Sequence, residues 1–232
     1  MSKTATTMKI SKKTIDILKN FASINTGLYV EAGNKLYTLS SGYSIITQAT
    51  IDETFESNFA IYDLSKFLGV LSLFDGAELE FDSKYVTIYD QNNSSTKYYF
   101  CDPKNVEKIV KNYGKTPKCG KNLFKFDITS KQIESLKRAA SLLELKTIKI
   151  QKSDQGGVDV IVLDQENVSP NEYSIHFSDA DVLGDAEIFL NIDLLNLYPG
   201  NYTVEVGDDV STKWTNRDTD LTYYIVKKAI KD

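Results

Sequence analysis

One histidine, two cysteines and four prolines in 232 residues are few, and each shortage removes a class of function. His176 alone cannot build a multi-histidine metal site, and a single histidine in a strand pattern is more often structural than catalytic. Cys101 and Cys119 stand far apart with no CxxC, so no disulfide framework is expected and both are read as free thiols. Neither a dinucleotide-type glycine fingerprint nor a phosphate-binding glycine loop ending in Lys-Ser or Lys-Thr occurs. The nearest metal motif is DADVLGDAEIFL, where Asp179, Asp181 and Gly184 match a calcium loop. Leu183 and Leu190 occupy positions where that loop needs oxygen ligands, so no calcium is expected. No apolar run approaches the roughly 18 residues that cross a bilayer. The opening MSKTATT is polar and lacks the apolar core of a secretory signal, so a cytoplasmic setting and no membrane are expected. These shortages together read as a non-enzyme without cofactor or metal.

What is present is charge and repetition. The chain carries 27 basic and 32 acidic side chains, a net −5, so it does not coat nucleic acid through bulk charge. Residues 1–24 hold five lysines against Asp16 alone. Positive charge is therefore local.

Short segments of period-2 hydrophobicity, such as KLYTLS, YVTIYD, TIKIQK, VDVIVLD and LTYYIVKK, alternate with turn signals at Gly33, Gly76, Asn93, Gly156 and Gly200. Four helical segments interrupt them, and the order of pieces occurs twice. Each half opens with an amphipathic helix, over 11–24 and 129–143. Each then has an apolar strand running into a short capped helix, FAIYDLSKFLGVLSLFDG and IFLNIDLLNLYPG, with Asp63 and Asn191 as N-caps. Each ends on a paired-tyrosine strand. Residues 102–122 lack alternation and read as a linker. The expected organisation is an extension over 1–7, a first domain over 8–101, the linker, and a second domain over 123–232.

In the first helix Lys12, Asp16, Lys19 and Ser23 form a polar stripe with Lys13 and Asn20 beside it; Ile17, Leu18 and Phe21 lie on the other side. In the second, Lys131, Ser135 and Arg138 stack opposite Ile133, Leu136, Ala140 and Leu143, and Thr129 with Gln132 predicts a capping box. A lysine-bearing surface helix is commonly only a solvated face. Two matching basic helices in duplicated halves of an acidic chain point instead to a phosphate backbone, contacted without reading bases. A protein–protein adaptor whose basic helices meet an acidic partner fits the same pattern.

The stretches MKISKKTIDILKNFASINTG and FAIYDLSKFLGVLSL, with PGNY and YYIVKKA further on, resemble the sliding clamps of T-even-like bacteriophages, the DNA polymerase processivity factors. The resemblance implies an α+β DNA-clamp fold: two topologically similar domains, each with two helices packed on antiparallel sheet, assembling as a homotrimer into a ring. It implies that Lys9, Lys12, Lys13, Lys19, Lys66, Lys131, Lys137 and Arg138 face double-stranded DNA in the pore, although the helical wheel sets Lys137 off the stripe. The fourth helix, NIDLLNLY, bears Asp193 and no cation, so its share in the pore is small. The partners implied are duplex DNA, further copies of the chain, a C-terminal peptide of the replicative polymerase, a clamp-loader ATPase and late-transcription factors, in the cytoplasm of an infected bacterium. Val106, Ile109, Val110 and Tyr113 are candidates for gripping a partner peptide; the other reading is that they pin the linker to the sheet. Tyr98 and Tyr99 in TKYYFC, and Tyr173 and Ile175 in EYSIHF, are candidates for edge-to-edge closure between subunits.

Overall fold

The computed structural model describes residues 7–165 and 171–229. Residues 1–6 of the expected N-terminal extension lie outside the described residues, and Thr7 already belongs to a strand. Internal contacts divide the chain into Met1–Ser41 with Gln48–Lys115, and Gly42–Thr47 with Thr116–Asp232.

The first unit contains β1 (Thr7–Met8), α1 (Lys12–Ile24), β2 (Leu28–Val30), β3 (Gly33–Leu39), β4 (Ile45–Phe55) from Gln48 onward, β5 (Phe59–Ile61), α2 (Leu64–Leu71), β6 (Glu78–Phe81), β7 (Tyr85–Tyr89) and β8 (Ser95–Tyr99). A 3-10 turn, Pro103–Val106, then leads into α3 (Glu107–Asn112). Its strands are ordered β4-β3-β2-β5 and β1-β6-β7-β8. Successive strand residues face opposite sides, and all three residues of β2 are buried, so both its faces are covered. Tyr29 and Tyr37 are cross-strand partners, and both rings meet Tyr113 just beyond α3. Leu28, Val30 and Leu36 alternate to the other face, which α1 covers with Ile17, Leu18 and Phe21. The linker is thus more than a strap: it is a helix that closes one face of the sheet.

The second unit contains β9 (Asn122–Ile128), α4 (Ser130–Leu143), β10 (Thr147–Lys152), β11 (Val158–Leu163), β12 (Glu172–Phe177), β13 (Asp181–Val182), β14 (Ile188–Asn191), a 3-10 turn at Ile192–Leu194, β15 (Tyr202–Gly207), β16 (Ser211–Asn216) and β17 (Leu221–Val226). Its strand orders are β12-β11-β10-β14 and β13-β9-β15-β16-β17. Counted from the opening strand and helix, and apart from the added edge strand β13, these are the orders of the first unit repeated: β9 stands for β1, α4 for α1, β10 to β12 for β2 to β4, β14 for β5, and β15 to β17 for β6 to β8. The second unit also takes in Gly42–Thr47, which includes the start of β4. There the Val226 amide donates to the Ser44 carbonyl at 2.9 Å, and Thr47 Oγ1 donates to the Thr222 carbonyl at 2.9 Å.

The duplication is not perfect. α2 is a helix of 8 residues, whereas the segment matching it, expected as a fourth helix, makes only the turn Ile192–Leu194. Both N-caps form as expected: Asp63 accepts from the Lys66 amide and Asn191 from the Asp193 amide. The difference lies downstream. Tyr198 precedes Pro199, which disfavours helix, and its backbone is held by two buried tyrosines. Its amide donates to the Tyr223 hydroxyl at 3.0 Å, and its carbonyl accepts from the Tyr202 hydroxyl at 2.5 Å. Burial pushes both phenols well above the usual tyrosine range.

Candidate nucleic-acid interface

α1 begins where Ser11 accepts from the Thr14 amide, an N-cap satisfying one of the orphan donors of the first turn. Glu53 on β4 reinforces it: one carboxylate oxygen accepts from the Ser11 amide and the other from Thr14 Oγ1. Partial burial of Glu53 works to raise its pKa, but the hydrogen bonds from Thr14 and Ser11 outweigh that, and the carboxyl titrates below its ordinary value. Thr14, Ile17, Leu18 and Phe21 are buried, which turns Lys12, Lys13 and Lys19 to solvent. Lys19 pairs with Asp16 at 3.0 Å, and Lys9 with Glu78 at 3.1 Å. Both ammonium groups are exposed, so these pairs contribute little and leave the cations available to phosphates.

α4 repeats this with different chemistry. Thr129 and Gln132 form the expected capping box, and Asn201 Oδ1 accepts from the Ser130 amide. Ile133, Leu136 and Ala140 are buried while Lys131, Lys137 and Arg138 are exposed. The apolar face ends sooner than the periodicity predicts: Leu143 is 40% exposed, because Glu144 takes a left-handed conformation and ends the helix. Lys66 is exposed on the first turn of α2, and Asp193 is exposed at the matching turn of the second unit.

The remaining sequence candidates separate into pairs. Val106 and Ile109 are buried against the first unit, and a side chain at Gly27 would collide with Val106; Val110 and Tyr113 stay partly exposed. Tyr113 donates to the Lys35 carbonyl at 2.6 Å, and burial raises its pKa. These four residues lie on the inner face of the linker helix. On β8, Tyr98 turns inward, donating to the Asp63 carbonyl at 3.0 Å and meeting Phe67 edge-on, while Tyr99 is 67% exposed. Tyr173 and Ile175 are half-buried on β12. β8 and β12 each end the order of a four-stranded sheet. His176, also on β12, has its Nδ1 2.7 Å from Asp159 on β11, which makes it a cross-strand partner. Among the described residues no helix is long and apolar enough to cross a membrane.

The linker lysines were legible but unread: Lys104, Lys108, Lys111 and Lys115 follow helical spacing, opposite Val106, Ile109 and Tyr113. The sequence reading of that segment singles out its apolar residues, Val106, Ile109, Val110 and Tyr113, and not the lysines between them.

Residues 9–111 match the family model described as DNA polymerase processivity factor. The sliding clamp of Vibrio phage KVP40 is 26% identical over 224 residues, covering 96% of this chain and 100% of the relative. That of Escherichia phage RB69 is 29% identical over 230 residues, covering 96% and 97%, and that of Enterobacteria phage T4 is 29% identical over 201 residues, covering 84% and 85%. Among solved structures, A. fulgidus PCNA bound to the C-terminal region of FEN-1 superposes with a TM-score of 0.70 at 10% identity, covering 97% of this chain and 98% of the other. The proliferating cellular nuclear antigen of Entamoeba histolytica gives 0.67 at 13% identity, covering 93% and 95%. The fold is therefore that of the DNA clamps, and in sequence the chain is similar to the DNA polymerase processivity factors, the sliding clamps of T-even-like bacteriophages.

Proposed function

We propose that three copies of this sliding clamp close head to tail around duplex DNA, with α1 and α4 turned inward and the replicative polymerase tethered to the ring. The observation that carries this reading is the pair of exposed basic faces, Lys12, Lys13 and Lys19 on α1 and Lys131, Lys137 and Arg138 on α4, repeated in equivalent positions of an acidic chain. Phosphates meet mobile cations there without any base being read, so the ring slides. Retention comes from closure rather than affinity, and the tether keeps a polymerase at high local concentration. The chain itself performs no chemistry. An adaptor for an acidic partner is not favoured.

The duplication supplies a geometry for closure. Within the second unit, β17 is bonded to the start of β4. The strands equivalent to that pair are β8 and β12, each the last in its sheet order. A β8 that meets the β12 of another copy repeats the junction already made inside the chain, with Tyr99, Tyr173 and Ile175 at the seam and Tyr98 holding β8 to α2. Lys9 and Lys66 belong to the same inward-facing set. A clamp-loader ATPase opens the ring, and partner peptides, including the polymerase C-terminus and late-transcription factors, engage near Val110 and Tyr113, in the cytoplasm of the infected host.

The test is primer extension on circular template with a T-even-type polymerase and loader. Lys12→Ala combined with Lys131→Ala should shorten products, and the salt slope of duplex association should fall by up to about five, since a ring of three copies loses both lysines three times over. Product lengths and slope equal to those of the unaltered chain would refute the assignment of these faces.

A further inference from the structure

The junction made inside the chain fixes a register as well as a choice of strands. The Val226 amide donates to the Ser44 carbonyl at 2.9 Å, which sets Val226 against Ser44. The two strands run in opposite directions, since Thr47 Oγ1 reaches the Thr222 carbonyl. Ile225 therefore stands against Ile45, and Tyr224 against Ile46. Both of these β4 isoleucines are buried.

Each of these residues has a counterpart on the edge strands. The same triplet stands at the start of β4 and of β12, Tyr43-Ser44-Ile45 and Tyr173-Ser174-Ile175, so Ser174 matches Ser44 and His176 matches Ile46. On the other side, the Cys101 amide donates to the Ala60 carbonyl of β5, and the Lys228 amide to the Phe189 carbonyl of β14. Since β14 stands for β5, Lys228 matches Cys101. Tyr99, Tyr98 and Lys97 then occupy the places of Val226, Ile225 and Tyr224, and the tyrosine pairs of β8 and β17 are out of step. The internal register, carried to two copies, puts Tyr99 against Ser174, Tyr98 against Ile175 and Lys97 against His176. Two observations agree with it. The Phe100 amide donates to the Lys84 carbonyl beside β7, so the Tyr99 amide points away from β7, toward the arriving strand. Tyr98 and Ile175 are both half-buried while Lys97 and His176 are both exposed, so the two strands present matching faces.

The outer faces of the two junctions differ in charge. Inside the chain the facing pair is Tyr224 and Ile46. At the seam it is Lys97 and His176, and His176 brings Asp159, whose Oδ1 is 2.7 Å from its Nδ1. With Nδ1–H donating to Asp159, Nε2 is left as an acceptor for an ammonium group. In its own copy Lys97 lies over the Tyr85 ring, 4.4 Å from the centroid, with Thr87 beside it and Glu80 one strand beyond. Strands are about 4.8 Å apart, so at the seam the lysine gains a second carboxylate within reach, bridged by His176. The cleft beside His176, about 440 Å³, is lined by Asp127, Asp179 and Asp181 against Lys125, and Asp127 already pairs with Arg217. Its balance also favours an arriving cation.

We propose that Lys97 of one copy forms an ionic latch with His176 and Asp159 of the next, on the outer face of the ring seam. The junction that must open is thereby held partly by charge, whereas the permanent one inside the chain has uncharged side chains at the same place. The latch rests on β8 of one copy meeting β12 of another. Because its members are exposed or half-buried, salt weakens it.

The test follows the oligomeric state of the intact chain by light scattering, across a concentration series at low and high salt. Lys97→Glu and Asp159→Lys should each raise the concentration of half-assembly by about tenfold or more. Both reversals in one chain should recover most of that loss, which a merely structural role would not do. Lys97→Gln should give a smaller loss, flatten the salt dependence and leave the melting temperature unchanged. Single reversals without effect, or a double reversal no better than the worse single, overturn the latch. The register is read separately, in a chain carrying Cys101→Ser and Cys119→Ser. Tyr99→Cys with Ser174→Cys should give covalent dimers and trimers with diamide, since facing residues of a hydrogen-bonded antiparallel pair lie about 5.5 Å apart. Tyr99→Cys with His176→Cys is out of register and should cross-link poorly. Cross-linking only in that second pair overturns the register and the latch together. A trimer that cross-links in neither pair overturns the β8–β12 seam itself, and a chain monomeric at every concentration overturns the ring.

Discussion

The two units use one strand order with different parts, and the parts show which features the fold demands. Both need an amphipathic helix after the first strand, and both cap it, but by unlike means. α1 is closed by Ser11 together with a carboxylate reaching over from β4, whereas α4 uses a self-contained capping box and the amide side chain of Asn201. After the fifth strand each unit needs a capped turn, yet only the first extends it into a helix. What is repeated is the cap and the strand that follows. The helix itself is dispensable where other side chains bind the backbone.

The largest effect in this comparison is expected from Phe67→Ala. Phe67 is 3% exposed, anchors α2 and meets the ring of Tyr98 on β8. Removing it costs about 3–5 kcal/mol, read as a drop in the denaturation midpoint. The second unit has no helix to lose at this position, so Ile192→Ala there should cost less. Equal losses would mean that the short turn is as much a packing element as α2.

Tyr223→Phe comes next. It removes the acceptor of the Tyr198 amide while keeping the ring, and a stranded donor costs about 1–3 kcal/mol. Because burial holds the Tyr223 hydroxyl well above its usual pKa, it stays protonated through alkaline pH, and this anchor persists there. A stability equal to that of the unaltered chain would show that Pro199 alone stops the fourth helix.

Glu53→Gln has the smallest effect and separates the two helix caps. A carboxyl whose folded pKa is depressed stabilises above its unfolded value of 4.5, and that stability is lost as pH falls through the folded value. The variant should be less stable near neutrality by about 1–2 kcal/mol. It should also lose part of the acid sensitivity below pH 4.5. Hydrogen exchange should place the change in α1 and leave α4 unmoved, since the capping box of α4 contains no titrating group.

Much of this was legible from residue order. The period-2 segments became strands because one face of each packs inward, and Asp63, Asn191 and Thr129 became caps because local hydrogen bonds need no distant partner. The basic faces followed from which helix residues are apolar. Three features escaped for physical reasons. β16 does not stand out because Ser211, Thr212 and Asn216 are buried in it as polar groups; Ser211 donates to Lys118 and Thr212 to Ile225. The fourth helix was overestimated because Tyr223, whose hydroxyl takes the Tyr198 amide, is remote in sequence. Glu53 carries no sequence mark of its role, because the helix that it caps lies 39 residues away.

The start of β4 carries a consequence for anyone dividing this protein. Gly42–Thr47 is covalently part of the first half but belongs by its contacts to the second unit. A cut at Lys115 therefore does not yield two self-sufficient pieces. A fragment beginning at Thr116 leaves the β17 side that bonds Ser44 and Thr47 without its partner, and such an edge invites pairing with any available strand. A peptide supplying residues 42–47 in trans should suppress that self-association and restore solubility, the behaviour of a strand that has been donated rather than shared.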